Sequence, residues 1–124
     1  RRKGKIRVGL KITGPKSRII QTCFANRLVT SGYALFENTS DVDMMVRGKL
    51  TYKKAGVIRG SHMVSAYAEV RVTDMENGQT KEALEARIKV GRPTLRQAVQ
   101  LAVSRLCDRI APRMVNQMGG SLNK

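Results

Sequence analysis

The second half of this chain carries a strand, a tight turn and a returning strand. In the first strand the even positions hold small or β-branched apolar residues, while most odd positions are polar or charged. This period-2 pattern is typical of a sheet with one buried face and one solvated face. The sequence predicts strands over Met63–Asp74 and Thr80–Val90, joined by a turn at Met75–Gln79. Asn77-Gly78 supports the turn, because both residues tolerate positive φ.

Two helices are predicted, one after the first strand and one after the last strand. Gly14-Pro15 ends a first strand over Lys5–Ile12, and Pro15 suits the first turn of a helix. That helix carries an apolar stripe, and Gly32 is a natural stop. The last helix is predicted to open at Pro93, to kink or break near Ala111 because of Pro112, and to end at Gly119-Gly120.

The remaining pattern predicts a short strand at Tyr33–Phe36 and a long alternating strand over Val42–Tyr52. A loop rich in Lys and Gly is predicted over Lys53–His62. The fold class is therefore α+β: a mixed, mainly antiparallel sheet of four to five strands with two amphipathic helices packed on one face. We predict a single domain over residues 1–124, with a basic leader at 1–4 and a frayed tail at 121–124.

The sheet face without helices is a candidate docking surface. Met45 and Tyr67 are expected there as apolar anchors for another domain or subunit. A solvated face of mixed charge is the simpler interpretation, and the sequence favours it. The candidate residues of this open face are Met45, Arg47, Lys49, Tyr67, Arg71, Arg87 and Lys89, with Glu69 and Glu85 among them.

Positive charge is concentrated at the start of the chain. Lys and Arg number 24 against 9 Asp and Glu, for a net charge of +15. Such a flank attracts polyanions such as nucleic acid, anionic lipid or acidic glycan. Aromatic residues are only 4% of the chain, which disfavours a binder that stacks bases. The candidate anion or partner contacts are Arg1, Arg2, Lys3, Lys5, Arg7, Lys11, Lys16 and Arg18.

The sequence offers no constellation for catalysis, metal or cofactor binding. His62 is the single histidine, and Cys23 and Cys107 lie in predicted helices without metal-type spacing. We expect both cysteines to be buried free thiols, with a disulfide between the two helices as the alternative. The chain is predicted not to be an enzyme and to need no cofactor.

Two features concern the origin of the chain. It begins at Arg1 without Met, which indicates a processed form or a fragment. Arg59–Met63 resembles an engineered junction, but a native loop that leads into a strand is the favoured interpretation.

Several motifs recur in the order found in one group of bacterial domains. They are Val-Arg-Gly-Lys-Leu at 46–50, the strand at 65–74 and Glu-Asn-Gly-Gln-Thr at 76–80, followed by an amphipathic helix. In the order and residues of these motifs, the chain resembles bacterial cell-envelope assembly domains of the CsgG, LpoB, flagellar T protein and TolB N-terminal type. The resemblance implies a periplasmic or outer-membrane-associated domain that binds other subunits and has no catalytic residue.

The sequence thus predicts a non-enzymatic interaction or structural domain of an envelope assembly, such as a flagellar, secretion or wall-synthesis complex. Its expected partners are other protein subunits. An anionic polymer or a membrane surface is a further candidate partner, and the chain could also form an oligomer. The alternative is a nucleic-acid-binding module that grips phosphates through the basic N-terminal segment.

Overall fold

A five-stranded mixed sheet forms the framework of the molecule. The computed structural model describes residues 6–36 and 41–122. The strand order is β2-β1-β3-β4-β5; β1 is parallel to β2 and to β3, and the other pairs are antiparallel. The predicted α+β class is confirmed. The elements are β1 (Arg7–Thr13), α1 (Ser17–Thr30), β2 (Ala34–Phe36), β3 (Met44–Ile58), β4 (Ser61–Asp74), β5 (Leu84–Arg92) and α2 (Leu95–Leu122).

Both helices lie on the same face of the sheet, and the core lies between the two layers. The even-numbered residues of the long strands point toward the helices, as their alternation predicts. From α1 the core takes one stripe at helical spacing. The main contributors are Val8 and Ile12, Ile20, Phe24 and Leu28, Val46 and Leu50, Val64, Val70 and Val72, Ile88 and Val90, and Leu106, Ile110 and Met114.

A disulfide joins α1 to α2 between Cys23 and Cys107, with the two Cα atoms 6.4 Å apart. The expectation of two free thiols is therefore wrong. Both helices pack on one sheet face and contact each other, so residues 84 positions apart in sequence come within bonding distance. Arg27 and Asp108 form an exposed ion pair beside this link.

The turn after β4 forms around the predicted Asn77-Gly78. The amide of Gly78 donates to the carbonyl of Asp74 at 2.8 Å, and Gly78 has a φ of +75°. The returning strand begins at Leu84 rather than at Thr80. The register shifts by one residue between the Thr73–Thr80 bridge and the Val70–Leu84 pair, so residues 81–83 fall outside the ladder.

The predicted loop over Lys53–His62 is instead the end of a long hairpin. Strand β3 continues to Ile58 and β4 begins at Ser61, with a register shift between Lys54 and Val57. Arg59 and Gly60 make the reversal with φ values of +51° and +80°. Positive φ at both central residues is the type I′ geometry that matches the twist of paired strands.

Helix α2 begins at Leu95, two residues later than predicted. The hydroxyl of Thr94 accepts a hydrogen bond from the amide of Gln97 at 3.1 Å and caps the helix. Of the kink or break expected near Ala111, the break is wrong, because the helix continues through Pro112. The ending expected at Gly119-Gly120 is also wrong, because the helix runs to Leu122. Buried residues on both sides of Pro112 hold the helix against β4 and β5.

The predicted basic leader at 1–4 and the last two residues of the predicted tail lie outside the described residues. In the described ranges, neither helix is both long and apolar enough to cross a membrane.

Candidate interaction surfaces

The described part of the chain contains no cluster of side chains suited to metal binding. No set of three or more His, Cys, Asp or Glu side chains in it is arranged to hold a metal ion. His62 lies half-buried on β4, in register with Arg92 of β5.

The open face of the sheet carries most of the residues predicted for it. Arg47, Lys49, Arg71, Arg87 and Lys89 are exposed at odd positions of β3, β4 and β5. Alternation along each strand places them opposite the helices. Two further cations lie on the same face because of strand pairing: Lys11 on β1 and Lys53 on β3. We call these seven side chains the basic face: Lys11, Arg47, Lys49, Lys53, Arg71, Arg87 and Lys89.

Met45 is not an exposed anchor of this face. Only 1% of it is exposed, and it is absent from the core cluster between the sheet and the helices. Its in-register neighbours are Gly9 on β1 and Thr73 on β4. The prediction of an apolar contact at this position is wrong.

Tyr67 is half-buried, and its polar and aromatic parts both have partners. Its hydroxyl donates to Glu85 Oε1 at 3.0 Å, and the Arg87 guanidinium lies 5.1 Å from the ring centre. Burial of the ring, followed by the hydrogen bond to Glu85, raises the pKa of the Tyr67 hydroxyl. The phenol therefore stays neutral and fixed within the face.

Three cations stand side by side across three strands of the basic face. Lys11 pairs in register with Arg47, and Arg47 pairs with Arg71. Like charges directly opposite one another destabilise a sheet. Arg71 is relieved by Glu69, with 3.2 Å between Nη2 and Oε2. Next to this row lies a shallow depression of about 340 Å³, lined by Arg47, Lys49, Arg71, Glu69, Thr13 and Gly48.

The predicted N-terminal anion contacts do not form one described cluster. Arg1, Arg2, Lys3 and Lys5 lie outside the described residues. Arg7 is already bound by acids: Nη1 is 3.1 Å from Asp41 Oδ1, and Nη2 is 3.3 Å from Asp43 Oδ1. The hydrogen bond to Asp43 and the charges of both acids raise the pKa of the Arg7 guanidinium. Arg7 is thus part of an internal ion pair.

The other basic residues of this group point in different directions. Lys11 belongs to the basic face. Lys16 precedes α1 in the left-handed region, with a φ of +60°, and is exposed. Arg18 lines a groove of about 540 Å³ between α1 and the β1–β2 edge of the sheet. The groove residues are Leu10, Arg18, Gln21, Thr22, Ala25, Leu35 and Phe36, and Phe36 is 40% exposed.

The projecting end of the β3–β4 hairpin was not predicted from the sequence. Strand β1 pairs with β3 only as far as Lys49, and Gly14 packs on the carbonyl of Leu50, so the β1-side edge of β3 from Thr51 onward has no strand partner among the described residues. At its tip Val57 and Ile58 are 60% and 55% exposed. Arg59-Gly60, which lies between the apolar pairs Val57-Ile58 and Met63-Val64, was the available turn signal.

Comparison with known proteins places this fold among bacterial lipoproteins. No family model matches the chain. No curated protein matches its sequence. The fold is similar to that of a minor lipoprotein from Acinetobacter baumannii, with a TM-score of 0.63 and 10% identity over 90% of this chain and 94% of that one.

Two further solved structures have a similar fold. The rare lipoprotein B from Shewanella oneidensis has a TM-score of 0.56 and 14% identity, over 92% of this chain and 97% of that one. A PelC dodecamer from Paraburkholderia phytofirmans has a TM-score of 0.55 and 14% identity, over 87% and 88%. At these identities the likeness concerns the fold alone: the chain has a fold that bacterial lipoproteins also adopt.

Proposed function

We propose that this chain is a non-enzymatic interaction domain of a bacterial envelope assembly, located in the periplasm or at the outer membrane. The fold it shares with bacterial lipoproteins supports the location. The order of motifs shared with the CsgG, LpoB, flagellar T protein and TolB N-terminal domains supports an assembly role in secretion, wall synthesis or the flagellum.

The observation that carries the proposal is the hairpin that projects beyond β1. Its tip exposes Val57 and Ile58, one on each face of the hairpin, and each is more than half accessible. Beside them runs a strand edge whose backbone groups are free on the β1 side within the described ranges. Such an edge can pair with a strand of another chain. Lys53, Lys54 and the register shift before Val57 limit indiscriminate pairing along the same edge.

The partner proposed for this tip is a second copy of the chain. The groove between α1 and the β1–β2 edge supplies apolar side chains, including Leu35 and the partly exposed Phe36. Tip and groove are different patches, so contact between them is head-to-tail and builds rings when the rotation closes. The dodecamer formed by PelC, which has a similar fold, supports a closed assembly of this kind.

Light scattering after size-exclusion chromatography tests the assembly. The unaltered protein is expected to elute above monomer mass, and Val57→Ser with Ile58→Ser to shift it toward monomer. Phe36→Ser should have the same effect from the groove side. Met75→Ser is the matched control, since Met75 is 43% exposed in the turn after β4 and belongs to neither patch. A monomer at every concentration, or an equal effect of the control, contradicts the proposal.

Mixing the two kinds of variant gives a sharper result. A tip variant keeps an intact groove, and a groove variant keeps an intact tip. One productive contact remains between them, so the mixture is expected to form heterodimers and no larger species. Larger assemblies from the mixture would show that tip and groove are not the two halves of one interface.

The alternative function is a nucleic-acid-binding module. Exposed Lys11, Lys16 and Arg18 favour it. It predicts binding to a generic oligonucleotide that weakens steeply with salt.

A further inference from the structure

We propose that the basic face binds the anionic headgroups of a phospholipid surface, by charge and without insertion of apolar side chains. This site is separate from the hairpin tip and the groove, and it does not depend on self-assembly. Three properties of the face support it: its charge, its two-dimensional layout and the lack of exposed apolar or aromatic anchors among its seven cations.

The charge of this face is unbalanced. Its seven cations share it with two acids, Glu69 and Glu85, while Arg7 at the end of the same face is paired with Asp41 and Asp43. Glu69 is engaged by Arg71, and Glu85 accepts the hydrogen bond of Tyr67. No described residue forms an ion pair with Lys11 or Arg47, although they stand next to each other and next to Arg71. A layer of phosphates would relieve this repulsion and form charge-assisted hydrogen bonds with the guanidinium groups.

The layout of the cations is two-dimensional. Neighbouring strands lie about 4.8 Å apart and residues advance about 3.3 Å along a strand. The cations therefore extend roughly 14 Å across the sheet from Lys11 to Lys89 and roughly 20 Å along β3 from Arg47 to Lys53. A single linear polymer contacts only the cations along one line across this face. A layer of lipid headgroups can contact all seven cations, because lipids rearrange laterally beneath them.

The area of the seven cations lacks the anchors that other macromolecules need; Ile58, exposed on the same side of the sheet, lies beyond Lys53 at the hairpin tip. Protein interfaces bury aromatic or aliphatic side chains at their centre, where charged residues are depleted. Here Met45 is 1% exposed, and Tyr67 is held by Glu85 and covered by Arg87. Base stacking needs a free aromatic ring, and the ring of Tyr67 is not free. Headgroup phosphates require cations alone.

Vesicle co-sedimentation of the full chain tests the site. We expect binding to vesicles with equal parts phosphatidylglycerol and phosphatidylcholine, loss of binding at high salt, and none to phosphatidylcholine alone. Each cation near an anionic surface contributes about fivefold to binding, so Lys11→Gln with Arg47→Gln should weaken it roughly 25-fold. This variant also removes repulsion, so its thermal stability should not fall.

Arg105→Gln with Arg109→Gln is the matched control. Both arginines are exposed on α2, on the opposite side of the sheet, and the net charge changes equally. The control is expected to lose only a few-fold in vesicle binding. Equal loss in the two variants would mean that net charge alone acts, and absence of binding at low salt would mean that no site exists; each overturns the proposal.

An oligo-dT titration distinguishes the other polyanion. If Lys11→Gln with Arg47→Gln weakens oligo-dT binding and leaves vesicle binding unchanged, the basic face takes nucleic acid and the lipid proposal is overturned. If vesicle binding weakens only in this variant and not in the α2 control, the proposal is supported. Neither result bears on the hairpin tip, so this inference and the assembly proposal fail separately.

Discussion

At Gly14 the chain turns from β1 into α1 where no other residue fits. Its φ is +113°, and a Cβ atom at this position would lie 2.0 Å from the carbonyl oxygen of Leu50. We expect Gly14→Ala to lower the free energy of unfolding by about 3 kcal/mol, since it combines backbone strain with a clash against backbone. Urea denaturation followed by circular dichroism measures the loss.

Gly32→Ala is the control for that effect. Gly32 has a φ of +98°, but nothing lies within 4 Å of the place that an alanine methyl group would take. Strain alone should cost it about 1–2 kcal/mol. If both variants lose the same stability, close approach to Leu50 does not matter at Gly14. The sequence indicates a break at Gly14-Pro15, but the neighbouring carbonyl belongs to β3 and is a tertiary feature.

Residue-level predictions on the sheet succeeded where they rested on alternation. The odd positions of β3, β4 and β5 face away from the helices, as their polarity predicts. Met45 was misjudged because period-2 alternation assigns a face and not an exposure. Lys11 was grouped with the N-terminal cations because only the pairing of β1 with β3 places it beside Arg47.

At the scale of elements, the Cys23–Cys107 disulfide links the two helices over a separation of 84 residues. Closing so long a loop restricts the unfolded chain, so we expect Cys23→Ala with Cys107→Ala to lose about 3–4 kcal/mol of stability. Thermal denaturation with and without dithiothreitol measures this.

Reduction with dithiothreitol also distinguishes the contribution of the disulfide bond to stability from that of side-chain packing at Cys23 and Cys107. It should lower the midpoint of the unaltered protein toward that of the double variant and leave the variant unchanged. An unaltered protein indifferent to reduction would contradict a stabilising role. Sequence reasoning left this pairing open, since two cysteines at such a separation do not show whether their helices are neighbours.

For the β3–β4 hairpin, local sequence predicted less regular structure than the chain forms. Gly and Lys between Lys53 and His62 favoured a loop, yet pairing continues to Ile58 and Ser61. Gly56, with a φ of +96°, lies in the irregular part of β3 rather than ending it. Once the first part of the ladder has formed, pairing continues through residues that are weak strand formers. Local propensity therefore underestimates the length of the strands in a long hairpin.

For the whole molecule, the net charge of +15 sets the response of stability to salt. Repulsion among cations disfavours the compact state, and added salt screens it. We expect the free energy of unfolding to rise between about 10 mM and about 150 mM sodium chloride, where the Debye length falls from roughly 30 Å to roughly 8 Å. Chemical denaturation with urea, which carries no charge, measures the change.

The basic face should account for a distinct part of that salt response. Lys11→Gln with Arg47→Gln is expected to reduce the rise more than Arg105→Gln with Arg109→Gln, because it removes in-register repulsion. Stability that falls with salt would instead mean that ion pairs such as Arg7–Asp43 outweigh the repulsion.

The sequence by itself determined the local and periodic features: the α+β class, the core positions of strands and helices, and the turn at Asn77-Gly78. Alternation and helical spacing decide these, because each strand or helix must bury its apolar side. Tertiary structure alone decided the strand order, the disulfide, the projecting hairpin and the row Lys11–Arg47–Arg71. Each depends on which distant segments become neighbours, and that is set by how the buried faces pack together.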